Sequence, residues 1–386
     1  MTRRAARMAD IQPFRVMALL ARARELEAAG RDIVHMEIGE PDFPTPPPVI
    51  AAVQKAIAAG DVHYTPAAGL PALRSALAGY YRVEYGVEVD PGRIVVTPGA
   101  SGALLLILGA VLDPGTRVLM ADPGYPCNRN FVRFLEGRST GIPVGPGTGY
   151  QLTAELVEAH WQDDTRAVLV ASPANPTGTL VSPDEMAAIQ RVVQARGGVL
   201  IVDEIYHGLI YEGRAETALA LGEDVFVLNS FSKYFGLTGW RVGWAVAPPE
   251  TAADLDKLAQ NLFLAAPTPG QHAALAALSL KTREILERRR LEFRARRDYL
   301  LPALRDLGFD IPVTPQGAFY LYADCTRFTD DSLAFSEALL EEAGVAVTPG
   351  LDFGHNHPER HLRFAYTTSL ERLEEGVRRI AGFVGQ

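Results

Sequence analysis

Cysteine is almost absent from this chain: two residues in 386, Cys127 and Cys325. Two are too few for a disulfide framework, so a reducing, cytoplasmic setting is the expectation. Neither stands in a CxxC or beside a His–Cys cluster; no metal site is expected, and both read as buried thiols. Long apolar runs are also missing. The longest, Gly102–Leu112 (GALLLILGAVL), falls short of the roughly 18 residues needed to cross a bilayer. The opening MTRRAARMAD carries a twin Arg with no apolar stretch behind it, which reads as a mature start rather than a signal. There is no excess of positive charge: 37 Lys+Arg against 46 Asp+Glu leave a net charge of −9. That balance argues against general affinity for nucleic acid or an anionic membrane. An anionic ligand has to be held by local donors, against the global charge. No internal repeat or low-complexity linker divides the chain.

What is present is the composition of a large globular protein, 48% hydrophobic and 22% charged, with length for about two or three domains at roughly 150 residues each. Short apolar, β-branched runs occur at Arg93–Thr97, Arg117–Ala121, Ala167–Ala171, Val199–Val202, Val225–Leu228 and Val242–Val246. Runs of this kind suit strands buried on both faces of a mostly parallel sheet. Helical patterns such as Gly102–Val111 and Pro183–Ala195 lie between them, and the alternation predicts an α/β layered fold. Gln271–Leu304 reads as one long helix. Beyond it, strands at Phe319–Tyr322, Val345–Thr348 and His361–Tyr366 mix with helices at Asp331–Ala343 and Leu370–Phe383, which predicts a smaller α+β domain. Arg15–Ala29 reads as a helix outside the large sheet. The prolines of Pro41–Pro48 argue against a regular helix or central strand there.

The chemistry is concentrated after the strands. Ser230-Phe231-Ser232-Lys233 directly follows Val225–Leu228. A lysine at the carboxyl end of a buried strand is a candidate for desolvation, which disfavours the ammonium and leaves an amine able to form Schiff bases. Alone, SxxK is weak, and most lysines are solvated surface charges. Arg241, in GWRVGW, follows eight residues later. Upstream, Asp203-Glu204-Ile205-Tyr206 closes one strand, and Asn175-Pro176-Thr177-Gly178 follows another. Loops beyond the carboxyl ends of the strands form the ligand crevice of an open α/β sheet, so these groups are expected to converge.

In this order, NPTG, DEIY and SFSK followed by GWRVGW are specific together, and the chain resembles the aspartate aminotransferase-like, class I/II family with the type I pyridoxal-phosphate (PLP) fold. The resemblance runs from Ile38-Gly39-Glu40-Pro41-Asp42 to the Arg363 segment. It implies a mostly parallel seven-stranded sheet between helices in a large domain, with a smaller α+β domain. The corresponding division is 1–45 as an N-terminal arm and part of the small domain, 46–285 as the PLP-binding domain and 286–386 as the small domain.

By resemblance, Lys233 forms the Schiff base with PLP and shuttles the substrate proton, and Asp203 pairs with the pyridine nitrogen. Tyr206 and Asn175 match donors to the phenolic oxygen, with Asn175 also on the substrate side. Gly99, Ala100, Ser101, Ser230, Ser232 and Arg241 match a phosphate cup, in which main-chain N–H groups at a helix start favour an anion. Tyr125 matches the aromatic that stacks on the ring. Tyr64 matches a residue reaching the neighbouring subunit's phosphate, which implies a homodimer with shared sites. Arg363 and Gly39 match the contacts to the substrate carboxylate, a task suited to the planar guanidinium fork.

The bland readings are a strand-end cap for Asp203, a turn residue for Asn175, a turn glycine for Gly39, packed loop aromatics for Tyr125 and Tyr64, and a solvated strand cation for Arg363. The implied activity is transamination between an L-amino acid and a 2-oxo acid, with 2-oxoglutarate or pyruvate as partner. Gln260–Thr268, the segment comparable to one that carries a distal Arg in dicarboxylate-specific relatives, has none. A neutral or aromatic side chain is therefore a candidate substrate, with His63, Arg15 and Arg129 as outlying candidates for a distal contact. A C–S or β-lyase of the same fold and a non-enzymatic PLP-binding regulatory domain are the alternatives.

Overall fold

The computed structural model describes residues 4–385 and contains two sheets. The strands, in chain order, are β1 (Val34–Met36), β2 (Ile94–Thr97), β3 (Arg117–Asp122), β4 (Arg138–Pro143), β5 (Thr165–Ala171), β6 (Val199–Asp203), β7 (Val225–Ser230), β8 (Gly243–Val246), β9 (Tyr320–Asp324), β10 (Val345–Pro349) and β11 (His361–Ala365). The large sheet has seven strands in the order β2-β8-β7-β6-β5-β3-β4. All are mutually parallel except β8, which is antiparallel to both β2 and β7. The small sheet runs β1-β10-β11-β9.

Both faces of the large sheet are buried, and side chains alternate between them as the two-residue period of a strand requires. Val168, Val170, Leu200, Val202, Val225 and Val227 face one apolar cluster. Ala167, Leu169, Ile201, Phe226 and Leu228 face the other, together with the helix Gly99–Val111. That explains why these strands read as continuous apolar runs. Two strands escaped the sequence reading. β4 (RSTGIP) lies at the sheet edge with most of its residues exposed or half-buried, so it has little apolar signal. β1 has three residues and pairs in parallel with β10, more than 300 positions away.

Two expectations need correction. The stretch from Gln271 to Leu304 is not one helix: Thr268–Ala277 ends before Ser279, whose hydroxyl accepts the Thr282 N–H and caps a new 28-residue helix, Leu280–Leu307. The Pro-rich segment also does not exclude a helix throughout. The helix Pro47–Ala58 starts on its last two prolines, where the missing N–H groups cost nothing.

Candidate active site

The strand directions bring the chemistry to one edge of the large sheet. β3, β5, β6 and β7 end there at Asp122, Ala171, Asp203 and Ser230, and the next residues carry Tyr125, Asn175, Tyr206 and Lys233. Because β8 is antiparallel, its first residue, Gly243, lies opposite Ser230 on one side and Thr97 on the other. Arg241, just before β8, and Gly99, just after β2, are thus brought to the same place. From the small sheet, β11 contributes Arg363 and β9 contributes Tyr320, while the chain leaving β1 supplies Gly39.

These elements enclose a cavity of about 400 Å³. Twelve of the residues singled out from the sequence line it: Gly39, Ala100, Ser101, Tyr125, Asn175, Asp203, Tyr206, Ser230, Ser232, Lys233, Arg241 and Arg363. Gly99 stands behind Arg241. A Cβ there would lie 2.4 Å from the Arg241 Nη2, and its φ of +70° also favours glycine. Tyr64 is apart, 85% exposed on a shallow surface hollow with His63 and Ala265–Pro269.

Lys233 is partly buried, and its Nζ donates to the Gly39 carbonyl at 2.6 Å. Desolvation, reinforced by the Arg363 cation, pulls its amine down to about 8. Burial lifts Asp203 to about 6, leaving it a carboxylate at neutral pH; one oxygen accepts the Ile205 N–H at 3.0 Å. Tyr206 is buried, and desolvation keeps its phenol protonated; its hydroxyl lies 2.9 Å from that of Tyr320. The Ser230 hydroxyl donates to the Ser232 Oγ at 2.9 Å and also accepts the Ser232 N–H at 3.0 Å, which holds both side chains in one cup. Arg241 has φ +54°, an uncommon conformation for a residue with a side chain, and its Nη1 donates to the Thr238 carbonyl at 2.9 Å.

Arg363 is 2% exposed. Nη1 donates to the Asn175 Oδ1 at 3.0 Å, and Nη2 to the Glu37 carbonyl and the Thr348 hydroxyl. The guanidinium carbon stands 4.3 Å from the Tyr320 ring centre and 4.9 Å from that of Phe353, and Nε has no partner. Among the described residues, no carboxylate forms an ion pair with Arg363 or Lys233. Two neighbouring cations, one fully buried, therefore face a cavity without a bonded counter-ion. Such an arrangement is costly for the free protein and is relieved by an anionic ligand.

Several wall residues were not singled out from the sequence: Tyr320, Glu40, Thr238, and the apolar group Phe14, Val16, Met17 and Ile38. Tyr320 was legible only as part of a strand. Its hydroxyl lies where a Cβ on Gly39 would be, 1.8 Å away, so Gly39 is required for the close approach of loop and small sheet. The outlying candidates do not line this cavity. Arg129 lines an adjoining cavity of about 370 Å³ and donates to the Asp352 carbonyl at 2.7 Å. Arg15 and His63 are exposed.

The chain is similar over its whole length to known aminotransferases. A family model, "Aminotransferase class I and II", matches residues 31–380. The valine–pyruvate aminotransferase of Mycobacterium tuberculosis is 39% identical over 386 residues, covering 100% of this chain and 99% of the relative. The aspartate/prephenate aminotransferase of Thermus thermophilus is 36% identical, with 98% of each chain covered. A crystal structure of an aminotransferase from Mycobacterium tuberculosis superposes with a TM-score of 0.96 at 39% identity, covering 100% of both chains. The chain belongs to the class I and II aminotransferases, enzymes that transfer an amino group between an amino acid and a 2-oxo acid. The fold is the type I PLP-dependent transferase fold, and PLP is the cofactor of the family.

Proposed function

We propose that the cavity binds PLP and transaminates L-amino acids with neutral, apolar side chains, using pyruvate or 2-oxoglutarate as the amino acceptor. The observation that carries this reading is the pair of cations, Lys233 and Arg363, that share the cavity without a bonded carboxylate. An amine poised near neutrality and a buried guanidinium fork meet the two needs of the reaction: capture of a carbonyl and grip on an α-carboxylate.

The residues present fit the cofactor. The start of the helix Gly99–Val111 offers the Ala100 and Ser101 N–H groups to a phosphate, with the Ser230 and Ser232 hydroxyls and Arg241 around them. The tight approach of Gly99 to Arg241 leaves that cup no room for a further side chain. With PLP bound, Asp203 would support a proton on the pyridine nitrogen, Tyr206 and Asn175 would donate to the phenolic oxygen, and Tyr125 would cover a ring face. When bound, PLP supplies an electrophilic aldehyde and an electron-accepting ring. Arg363 fixes the substrate carboxylate and thereby orients the Cα–H bond toward Lys233. The Lys233 amine, near 8, accepts that proton and returns it. Exposed Tyr64 suits a contact with a second copy, in a homodimer with shared sites. The two free cysteines suit the cytoplasm.

The substrate class rests on the outer wall. Phe14, Val16, Met17 and Ile38 line it, and the cavity's three cations, Lys233, Arg241 and Arg363, are each committed to another task. The valine-directed relative points the same way. A panel of L-amino acids against pyruvate and 2-oxoglutarate tests the reading: kcat/KM for leucine and valine should exceed that for aspartate by at least about tenfold. A preference for aspartate overturns it. Product oxo acid formed without amination of an acceptor identifies a lyase instead.

The amine also sets a pH dependence. Only neutral Lys233 attacks an aldehyde, so the rate at which the cofactor-free chain captures PLP should rise with pH to a plateau, with its midpoint near 8. Stopped-flow absorbance checks this; a midpoint above about 10, the ordinary lysine range, contradicts the proposed environment.

A further inference from the structure

The geometry points to Asp352 as a specificity-positioning residue that holds the apolar wall of the cavity from outside it. This rests on the substrate reading above. The wall is the start of the helix Arg15–Ala28, and that start has no cap of its own: its N-cap residue is Phe14, which makes no side-chain capping bond. An α-helix leaves its first N–H groups without intrahelical partners, and Phe cannot satisfy them. Asp352, 336 residues beyond Val16, does so instead. Its Oδ1 accepts the Arg15 N–H at 3.0 Å and its Oδ2 the Val16 N–H at 2.9 Å. Both carboxylate oxygens are thus spent on the two residues following Phe14, and the negative charge lies at the positive end of the helix.

Asp352 is itself 4% exposed and fixed by its own main chain. Its carbonyl accepts Arg129 Nη2 at 2.7 Å, and it belongs to the turn Gly350–Asp352 that follows β10. Later turns of the helix have a separate anchor: Leu19, Ala23 and Leu26 pack on Ile33, Leu340 and Ala346. The first turn therefore depends on Asp352, and that turn presents Phe14, Val16 and Met17 to the cavity. Phe14 also meets the ring of Tyr125 edge-on, with 6.3 Å between centres. Arg129 thus braces the residue that braces the wall. The size of side chain accepted is set by where that turn is held.

A large apolar side chain needs the wall and a methyl group does not, so the ratio of kcat/KM for L-leucine to that for L-alanine reads its position. In holoenzyme, Asp352→Asn should lower this ratio by about tenfold, because Asn offers one acceptor and turns an N–H toward an N–H. Phe14→Ala should lower it comparably. The double variant should fall no further than about threefold beyond the lower single, since both act on one wall. The visible absorbance of bound PLP should persist in each. If Asp352→Asn does not fold, Arg129→Gln carries the test and must lower the ratio in the same direction. Leucine and alanine falling by equal factors, or an unchanged ratio, overturns the inference by showing a merely structural role. Wild-type enzyme that prefers aspartate to leucine overturns the substrate reading and this inference together. A wild-type preference that survives in the variants overturns this inference alone.

Discussion

Lys233→Ala is expected to lower transamination by about 10⁴-fold or more, because one group performs both carbonyl capture and proton transfer at Cα. No neighbouring amine can replace it: the cavity's other cations are the guanidinium groups of Arg241 and Arg363, which stay protonated and are not nucleophiles at neutral pH. The variant should fold, since Lys233 makes one side-chain hydrogen bond, to the Gly39 carbonyl. It should also bind PLP without the absorbance of a protein-linked Schiff base, because the phosphate cup and Asp203 are untouched. Steady-state rates and a visible spectrum suffice to check both. Turnover within tenfold of wild type would remove Lys233 from the mechanism.

Arg363→Leu should lower kcat/KM by about 10²–10⁴-fold, mostly through KM, and for amino acid and oxo acid alike. Two charge-assisted bonds to the α-carboxylate would be lost, at roughly 1.5–3 kcal/mol each. Arg363→Lys should rescue little, because an ammonium cannot reproduce the fork that Asn175, Tyr320 and the Glu37 carbonyl hold in plane. A second readout separates this role from general damage. Arg363 lowers the Lys233 pKa, so its removal should move the midpoint of PLP capture upward from about 8. Retained substrate affinity together with lost PLP would place Arg363 on the cofactor rather than the substrate.

Much of the site was legible because its residues follow buried strands that announce themselves. Asn175, Asp203, Lys233 and Arg241 each lie within a few residues of a β-branched run, and strand direction then forces them to one edge of the sheet. Arg363 was readable as a strand residue, but its burial was not: that depends on Tyr320 and Phe353 closing over it from other elements. The wall formed by Phe14, Val16 and Met17 had no signal of its own, since an apolar helix start more than 330 residues from its cap looks like any packed helix. β1 and β4 were missed for the related reason that their pairing partners, not their composition, make them strands. The break at Ser279 was written in the sequence as an N-cap serine, but the Ala- and Leu-rich run before it and the Leu, Glu and Arg periodicity after it obscured it. Tyr64, matched by resemblance to a contact with a neighbouring subunit, is exposed on this chain.

The most direct test is chemical. Incubating the protein with PLP, reducing with borohydride and mapping the modified peptide should place one pyridoxyl group per chain on Lys233, in the peptide containing Ser230-Phe231-Ser232. A label on any other lysine, or a protein that takes up no PLP, would contradict the account at its centre.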